Sequence, residues 1–198
     1  MTNEEFFSRI KDDVILDMKE SGILASLTAA QALIESGAGS SGLTQKANNL
    51  FGMKGTYNGQ SVTMKTKEYV NGQYVVVNAA FRKYPSWYES IKDHSALFLR
   101  LSRYANLIGE KDYKQACIKV QQDGYATSPS YASTLIRAIE TYKLYEWDNL
   151  VPEEDRYLDD AITVIAQRVI AGRFGQGHEM RKNAIYELIR RKVNDILK

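Results

Sequence analysis

Between residues 3 and 20 the apolar side chains Phe6, Ile10, Val14, Ile15 and Met18 recur at spacings of three and four, which predicts an amphipathic helix. Ser21-Gly22 breaks it. Ser26 reads as the N-cap of a second helix, whose stripe of Leu27, Ala30, Leu33 and Ile34 ends at Glu35, with Gly37 as the stop. Residues 38–60, punctuated by Gly and Asn, read as loop. The period then changes to alternation. "SVTMKTKEYV" and "QYVVVNAAF" flank Asn71-Gly72, a dipeptide suited to the positive φ angles of a type I′ hairpin turn. After Pro85 the helical pattern returns over about 86–103, 110–122 and 129–147. Pro152 with Glu153, Glu154 and Asp155 marks a linker at 151–156, and two apolar stripes around "AGRFGQGHE" predict a small helical bundle at 157–198. The fold class expected is mainly α (α+β): a helical domain over 1–150 with a small β-hairpin lobe, then the C-terminal bundle.

Composition narrows the classes. A length of 198 residues suits one domain of about 150 with a small appendage. With 44% hydrophobic and 25% charged residues, the chain can bury a real core. A net charge of +2 provides no basic stripe, so nucleic acid is not an expected partner. No apolar run approaches the roughly 18–20 residues of a membrane span, so no membrane insertion is expected. The start "MTNEEFFSRIKDD" lacks a signal-peptide core, and the expectation is synthesis in the cytoplasm. The single Cys117 has no internal disulfide partner, and in "YKQACIKV" it reads as a buried hydrophobe. His94, His178 and Cys117 are the only soft metal ligands and cannot assemble a usual zinc set, so neither a metal nor another cofactor is expected. His94 in "SIKDHSALF" reads as a packed residue.

The chemistry then falls to carboxylates. Glu35 closes an apolar helix near the negative end of its dipole, and partial burial there raises a carboxyl pKa toward what a general acid needs. A solvated C-terminal glutamate is the plainer alternative. In the first strand, Val62, Met64, Thr66, Glu68 and Val70 share one face by period two. Glu68 is the charge on that apolar face, and such a group must be paired, neutralised or facing a cleft. A salt bridge to lysine or an edge-blunting charge would also account for it. A helix acid plus a hairpin acid is the layout of glycoside hydrolysis, in which one carboxyl protonates the leaving oxygen and the other steadies an oxocarbenium-like centre or activates water. Tyr125 and Tyr131 in "DGYATSPSYASTL", with Asn49 and Phe51 in "NNLFGMKG", fit the stacking and hydrogen bonding that sugars require.

Taken in order, "AAQALIESGAGSSGL", "KANNLFGMKG", "TKEYVNGQ", "FRKYPSWYESIKDHSALF" and "DGYATSPSYASTLIRAIETYKLYEWD" resemble the peptidoglycan endo-β-N-acetylglucosaminidases of glycoside hydrolase family 73 over residues 20–148. The resemblance implies a lysozyme-like helical body with a β-lobe across a groove. It implies Glu35 as general acid, Glu68 as the assisting acid of the hairpin lobe, and Tyr125 and Tyr131 as cleft residues. The bond implied is the β-1,4 linkage from N-acetylglucosamine to N-acetylmuramic acid, with bacterial peptidoglycan as partner. Two positions depart from the family pattern: Ala38 stands where an aromatic is usual, and Thr127-Ser128-Pro129 replaces a T-D-P motif. The tail, with "VIAGRFGQG" and "VNDIL", resembles the cell-wall-binding repeat of the CW_7 type found in phage lysins. Together these imply a phage endolysin-like protein acting at the bacterial wall, a monomer whose C-terminal helices are where self-association would be sought. A muramidase, a lytic transglycosylase and a non-catalytic wall-binding protein are the competing readings.

Overall fold

Thr2 opens the first helix with a reciprocal capping box: its hydroxyl accepts from the Glu5 amide at 3.1 Å, and the Glu5 carboxylate accepts from the Thr2 amide at 2.8 Å. The computed structural model describes residues 1–70 and 73–150. In it α1 spans Asn3–Ser21, buries Phe6, Phe7, Ile10, Val14 and Ile15, and ends at Gly22 in the left-handed conformation.

The second helix, α2, spans Ala25–Ser36, and every residue from Ala25 to Ala32 is buried. An alanine-rich helix that is apolar on most sides suits a central position, because neighbours can approach it closely all round. Its N-cap corrects the expectation. Leu24 stands there without a capping side chain, and Ser26 lies inside the first turn. The amide and hydroxyl of Ser26 both donate to the Asp148 carboxylate, at 2.8 and 2.7 Å. This cap comes from the far end of the domain, 122 residues away, so no local pattern could announce it.

The stretch expected as loop over 38–60 contains a short helix, α3, Gly42–Ala47, started by Ser41, whose hydroxyl accepts from the Thr44 amide at 3.1 Å. Six residues are too few to show a period. Strands β1 (Ser61–Val70) and β2 (Gln73–Arg82) form the expected antiparallel hairpin, in register from Ser61 opposite Arg82 to Val70 opposite Gln73. Asn71 and Gly72, the expected turn, lie outside the described residues. Val62, Met64 and Thr66 are less exposed than Ser61, Thr63 and Lys65, which matches the predicted faces.

Helix α4 (Trp87–Arg100) is followed by a 3-10 turn, Ser102–Leu107, where a single helix to 103 was expected. Helix α5 (Tyr113–Gln122) starts later than expected because Asp112 is its cap, accepting from the Lys114 amide at 2.8 Å. Helix α6 (Tyr131–Thr141) gives way at Lys143, with φ 52°, to a second 3-10 turn, Leu144–Asn149, which replaces the continuous helix expected to 147. Helices α1, α5 and α6 and the Leu144–Asn149 turn pack around α2. The hairpin's base is tied to α4: Arg82 pairs with Asp93 at 2.5 Å, and the Tyr84 hydroxyl donates to the same carboxylate at 2.6 Å.

The result is mainly α with one small β-hairpin, as expected for 1–150. The expected linker at 151–156 and helical module at 157–198 lie outside the described residues. Among the described residues no helix is long and apolar enough to cross a membrane.

Candidate active site

At the C-terminal end of α2 the chain reverses through three successive left-handed residues, Gly37, Ala38 and Gly39, with φ of 57°, 53° and 73°. Gly39 is obligatory here: a Cβ would lie 2.7 Å from the Trp87 ring. Glu35 sits just before this reversal and remains exposed. Solvent reaches the carboxyl, yet the surrounding protein still removes enough water to raise its pKa above the ordinary 4.5, while a hydrogen bond from Tyr131 pulls the other way.

That bond places α6 in the site. Tyr131 is the first residue of α6 and only 6% exposed. Its hydroxyl donates to Glu35 Oε1 at 3.0 Å and accepts from Gln31 Nε2 at 3.1 Å. Gln31 and Glu35 are four residues apart on α2 and therefore share one face. Ser128, at the position where a T-D-P motif would carry Asp, builds the approach to α6: its carbonyl accepts from the Tyr131 amide at 3.2 Å.

Tyr125 stands beside Tyr131, the rings 5.7 Å apart and nearly parallel. Its hydroxyl meets His94 Nε2 at 3.0 Å. His94 is fully buried on α4, and burial pushes its pKa down to about 3, so it is neutral across the working range. It is the packed residue expected, and the sequence did not show its contact with Tyr125. Phe51 lies flat on the His94 ring at 3.8 Å and is 6% exposed, so it forms the inner layer of this aromatic wall.

Asn49 has a different place from the one expected. It is 1% exposed, its Nδ2 donates to the carbonyls of Met53 and Arg82 at 2.9 Å each, and its Oδ1 accepts from the Met53 amide at 3.0 Å. The whole amide is occupied in clamping the loop to the hairpin base, and none of it is presented to a ligand. Cys117 is buried, as read. Glu68 lies in β1 opposite Val75, at a register position on the face shared by Met64 and Thr66; its side chain lies outside the described residues. Among the described residues no group of three His, Cys, Asp or Glu side chains is arranged to hold a metal ion.

Gln31 escaped the sequence reading, although its signal was present: one amide in the run "TAAQALIE", one turn ahead of the acid.

Residues 11–144 match the glucosaminidase family, described as mannosyl-glycoprotein endo-beta-N-acetylglucosaminidase. The chain belongs to this family, which is one of glycoside hydrolases. It is 43% identical over 135 residues to the exo-glucosaminidase LytG of Bacillus subtilis, a match covering 66% of this chain and 48% of that protein. It is 39% identical over 135 residues to a probable N-acetylmuramidase of Lactococcus lactis subsp. cremoris, covering 64% of this chain and 31% of that one. The chain thus spans about half the length, or less, of these relatives. The crystal structure of the catalytic domain of the autolysin Auto from Listeria monocytogenes superposes with a TM-score of 0.70 at 37% identity, covering 74% of this chain and 87% of that one. The fold match therefore includes the helical body and extends well beyond any single motif.

Proposed function

We propose that the protein is a peptidoglycan hydrolase that cleaves the β-1,4 bond between N-acetylglucosamine and N-acetylmuramic acid, with Glu35 as general acid. One observation carries the reading: an exposed carboxyl at the end of a buried helix, held by Tyr131, whose burial favours the protonated form. Such a group can keep a proton toward neutral pH and hand it to the bridging oxygen as the glycosidic bond breaks. Positive charge then develops at the anomeric carbon. Glu68, from the hairpin lobe, is proposed to steady that charge or activate water, and the substrate's own N-acetyl oxygen is the alternative source of stabilisation. Tyr125 and Tyr131 are proposed to line the groove, although Tyr131 does so chiefly through its hydroxyl, since its ring is largely covered.

The resemblance of residues 157–198 to a wall-binding repeat of phage lysins extends this to a lytic enzyme retained on the wall, an endolysin. A muramidase is the second reading, favoured by the name of the Lactococcus relative. The Bacillus relative is named an exo-enzyme, so attack from chain ends stands beside the endo mode. Mass spectrometry of borohydride-reduced wall digests separates these. Glucosaminitol ends are expected. Muramicitol ends would transfer the assignment to a muramidase, and 1,6-anhydro ends to a transglycosylase.

A further inference from the structure

We propose that Gln31 is a positioning residue that commits the Tyr131 hydroxyl proton to Glu35. This rests on Glu35 being the acid of the site and goes beyond that reading by naming what sets its state.

The argument is one of hydrogen-bond inventory. A phenol has one proton to donate, and it can accept in return. The Tyr131 ring is held by the stacked Tyr125 ring on one side and by its own burial at the start of α6. Its oxygen is thereby fixed between Gln31 Nε2 at 3.1 Å and Glu35 Oε1 at 3.0 Å. Nε2 is a donor only, so the phenol proton has no use on that side and must point at the carboxylate. The chain amide N–H to phenol oxygen, phenol O–H to carboxylate, is aligned in one direction. Each bond polarises the next, and the last is charge-assisted. Gln31 never touches a substrate; it acts through Tyr131.

A second observation shows which end of the amide is in use. Gln31 is fully buried, and its Oε1 has no hydrogen-bond partner among the described residues. Leaving a buried amide oxygen unpaired is unfavourable, and an apolar side chain would avoid it. Gln31 stands on the face of α2 that meets Tyr131, and its donor is the end in use. Among the described residues, Tyr131 bonds Glu35 and Tyr125 stacks beside Tyr131, with uncharged His94 behind them.

The test reads Glu35 directly. Its side-chain carboxyl carbon is followed by NMR as a function of pH in the full chain. Wild type is compared with Gln31→Met, which matches the shape without the donor, and with Gln31→Asn, which keeps the amide but falls short of Tyr131. Both are expected to raise the Glu35 midpoint by about half a pH unit, because the carboxylate loses a polarised partner. Tyr131→Phe is expected to raise it by about one pH unit, and adding Gln31→Met to Tyr131→Phe is expected to change nothing more. Gln31→Met should melt no lower than wild type, since the unpaired oxygen is removed too. An unmoved midpoint in both Gln31 variants, or an equal shift in the absence of the Tyr131 hydroxyl, overturns the proposal. Loss of the general-acid reading would show elsewhere: Glu35→Gln would still hydrolyse walls, with the NMR shifts unaffected.

Discussion

Asp17 offers the sharpest physical test of the domain. It is 3% exposed on α1, and its Oδ2 accepts from the Ser95 hydroxyl of α4 at 2.5 Å and from the Ser21 hydroxyl at 3.4 Å. Those hydroxyls are neutral partners for a charge. Burial pushes its pKa up to about 6 from the ordinary 3.8; the two hydroxyls oppose this, Glu20 adds to it, and Lys92 weakly relieves it. The folded chain therefore binds this proton more strongly than the unfolded chain. The stability it contributes is complete below about pH 3.8 and is lost as pH rises through about 6. At 1.36 kcal/mol per pH unit the gap between the two values sets a ceiling of about 3 kcal/mol. Asp17→Asn keeps an oxygen for both hydroxyls and never ionises. Melting temperatures of the two proteins by circular dichroism at pH 4, 5, 6, 7 and 8 give the comparison, and other acids cancel in the difference. The variant should gain on wild type by up to about 6–12 °C between pH 4 and pH 7, at roughly 2–4 °C per kcal/mol for a chain of this size. A difference that stays flat with pH would mean that the carboxyl does not titrate there, and the desolvation argument would be wrong.

Three further outcomes are expected. Glu35→Gln should lower wall hydrolysis by about 10²–10⁴-fold without unfolding the domain, measured by turbidity loss and circular dichroism; in wild type, kcat/KM should fall as pH rises through the raised Glu35 pKa, because the acid form is the active one. Asn49→Ala removes two donated bonds and one accepted bond at the hairpin base and should cost about 2–4 kcal/mol, read from the urea midpoint. Deleting 151–198 should reduce retention on sedimented walls more than hydrolysis of soluble glycan fragments, and equal retention would remove the wall-binding assignment of that segment.

Periodicity carried the long elements. Helices α1 and α2 and both strands lie where the apolar spacing put them: α1 buries one consistent face, β1 alternates between more and less exposed positions, and α2, buried all along Ala25–Ala32, ends where its apolar run does. What failed were features decided by distant partners. Ser26 has N-cap chemistry, but the real terminator of α2's free donors is Asp148, brought back by the last turn of the domain. Helix α3 is too short for a period, and Lys143 breaks the last helix through a left-handed residue that is not glycine. The site was half legible. The acid and the two tyrosines were named from residue type and resemblance, and Tyr131 does touch Glu35. Asn49 misled because an amide beside a glycine-rich loop has the same composition whether it binds a ligand or clamps the backbone. The Gln31–Tyr131 and His94–Tyr125 contacts needed coordinates, since they join residues 100 and 31 apart in the chain.

The two ends of α2 each hold a carboxyl. At its N-terminus burial raises the Asp148 pKa, while the Ser26 amide and hydroxyl and the positive end of the dipole oppose that rise without cancelling it. At its C-terminus Glu35 meets the negative end, where the dipole and desolvation both favour the protonated form. Desolvation raises the pKa at both ends of the rod, and at each end a hydrogen-bond donor opposes it: Ser26 for Asp148 and Tyr131 for Glu35. Because Ala25–Ala32 is packed on most sides, the far end cannot shift to relieve the Glu35 carboxyl, and the site inherits the rigidity of the core. The reversal through Gly37, Ala38 and Gly39 turns the main chain away and leaves the carboxyl open to solvent, at the strain of a non-glycine left-handed residue of about 1–2 kcal/mol at Ala38. Tyr131, backed by Gln31, opposes the rise at Glu35 by offering its carboxylate a donor. Burial and the phenol thus pull the Glu35 carboxyl in opposite directions, and burial is the larger of the two.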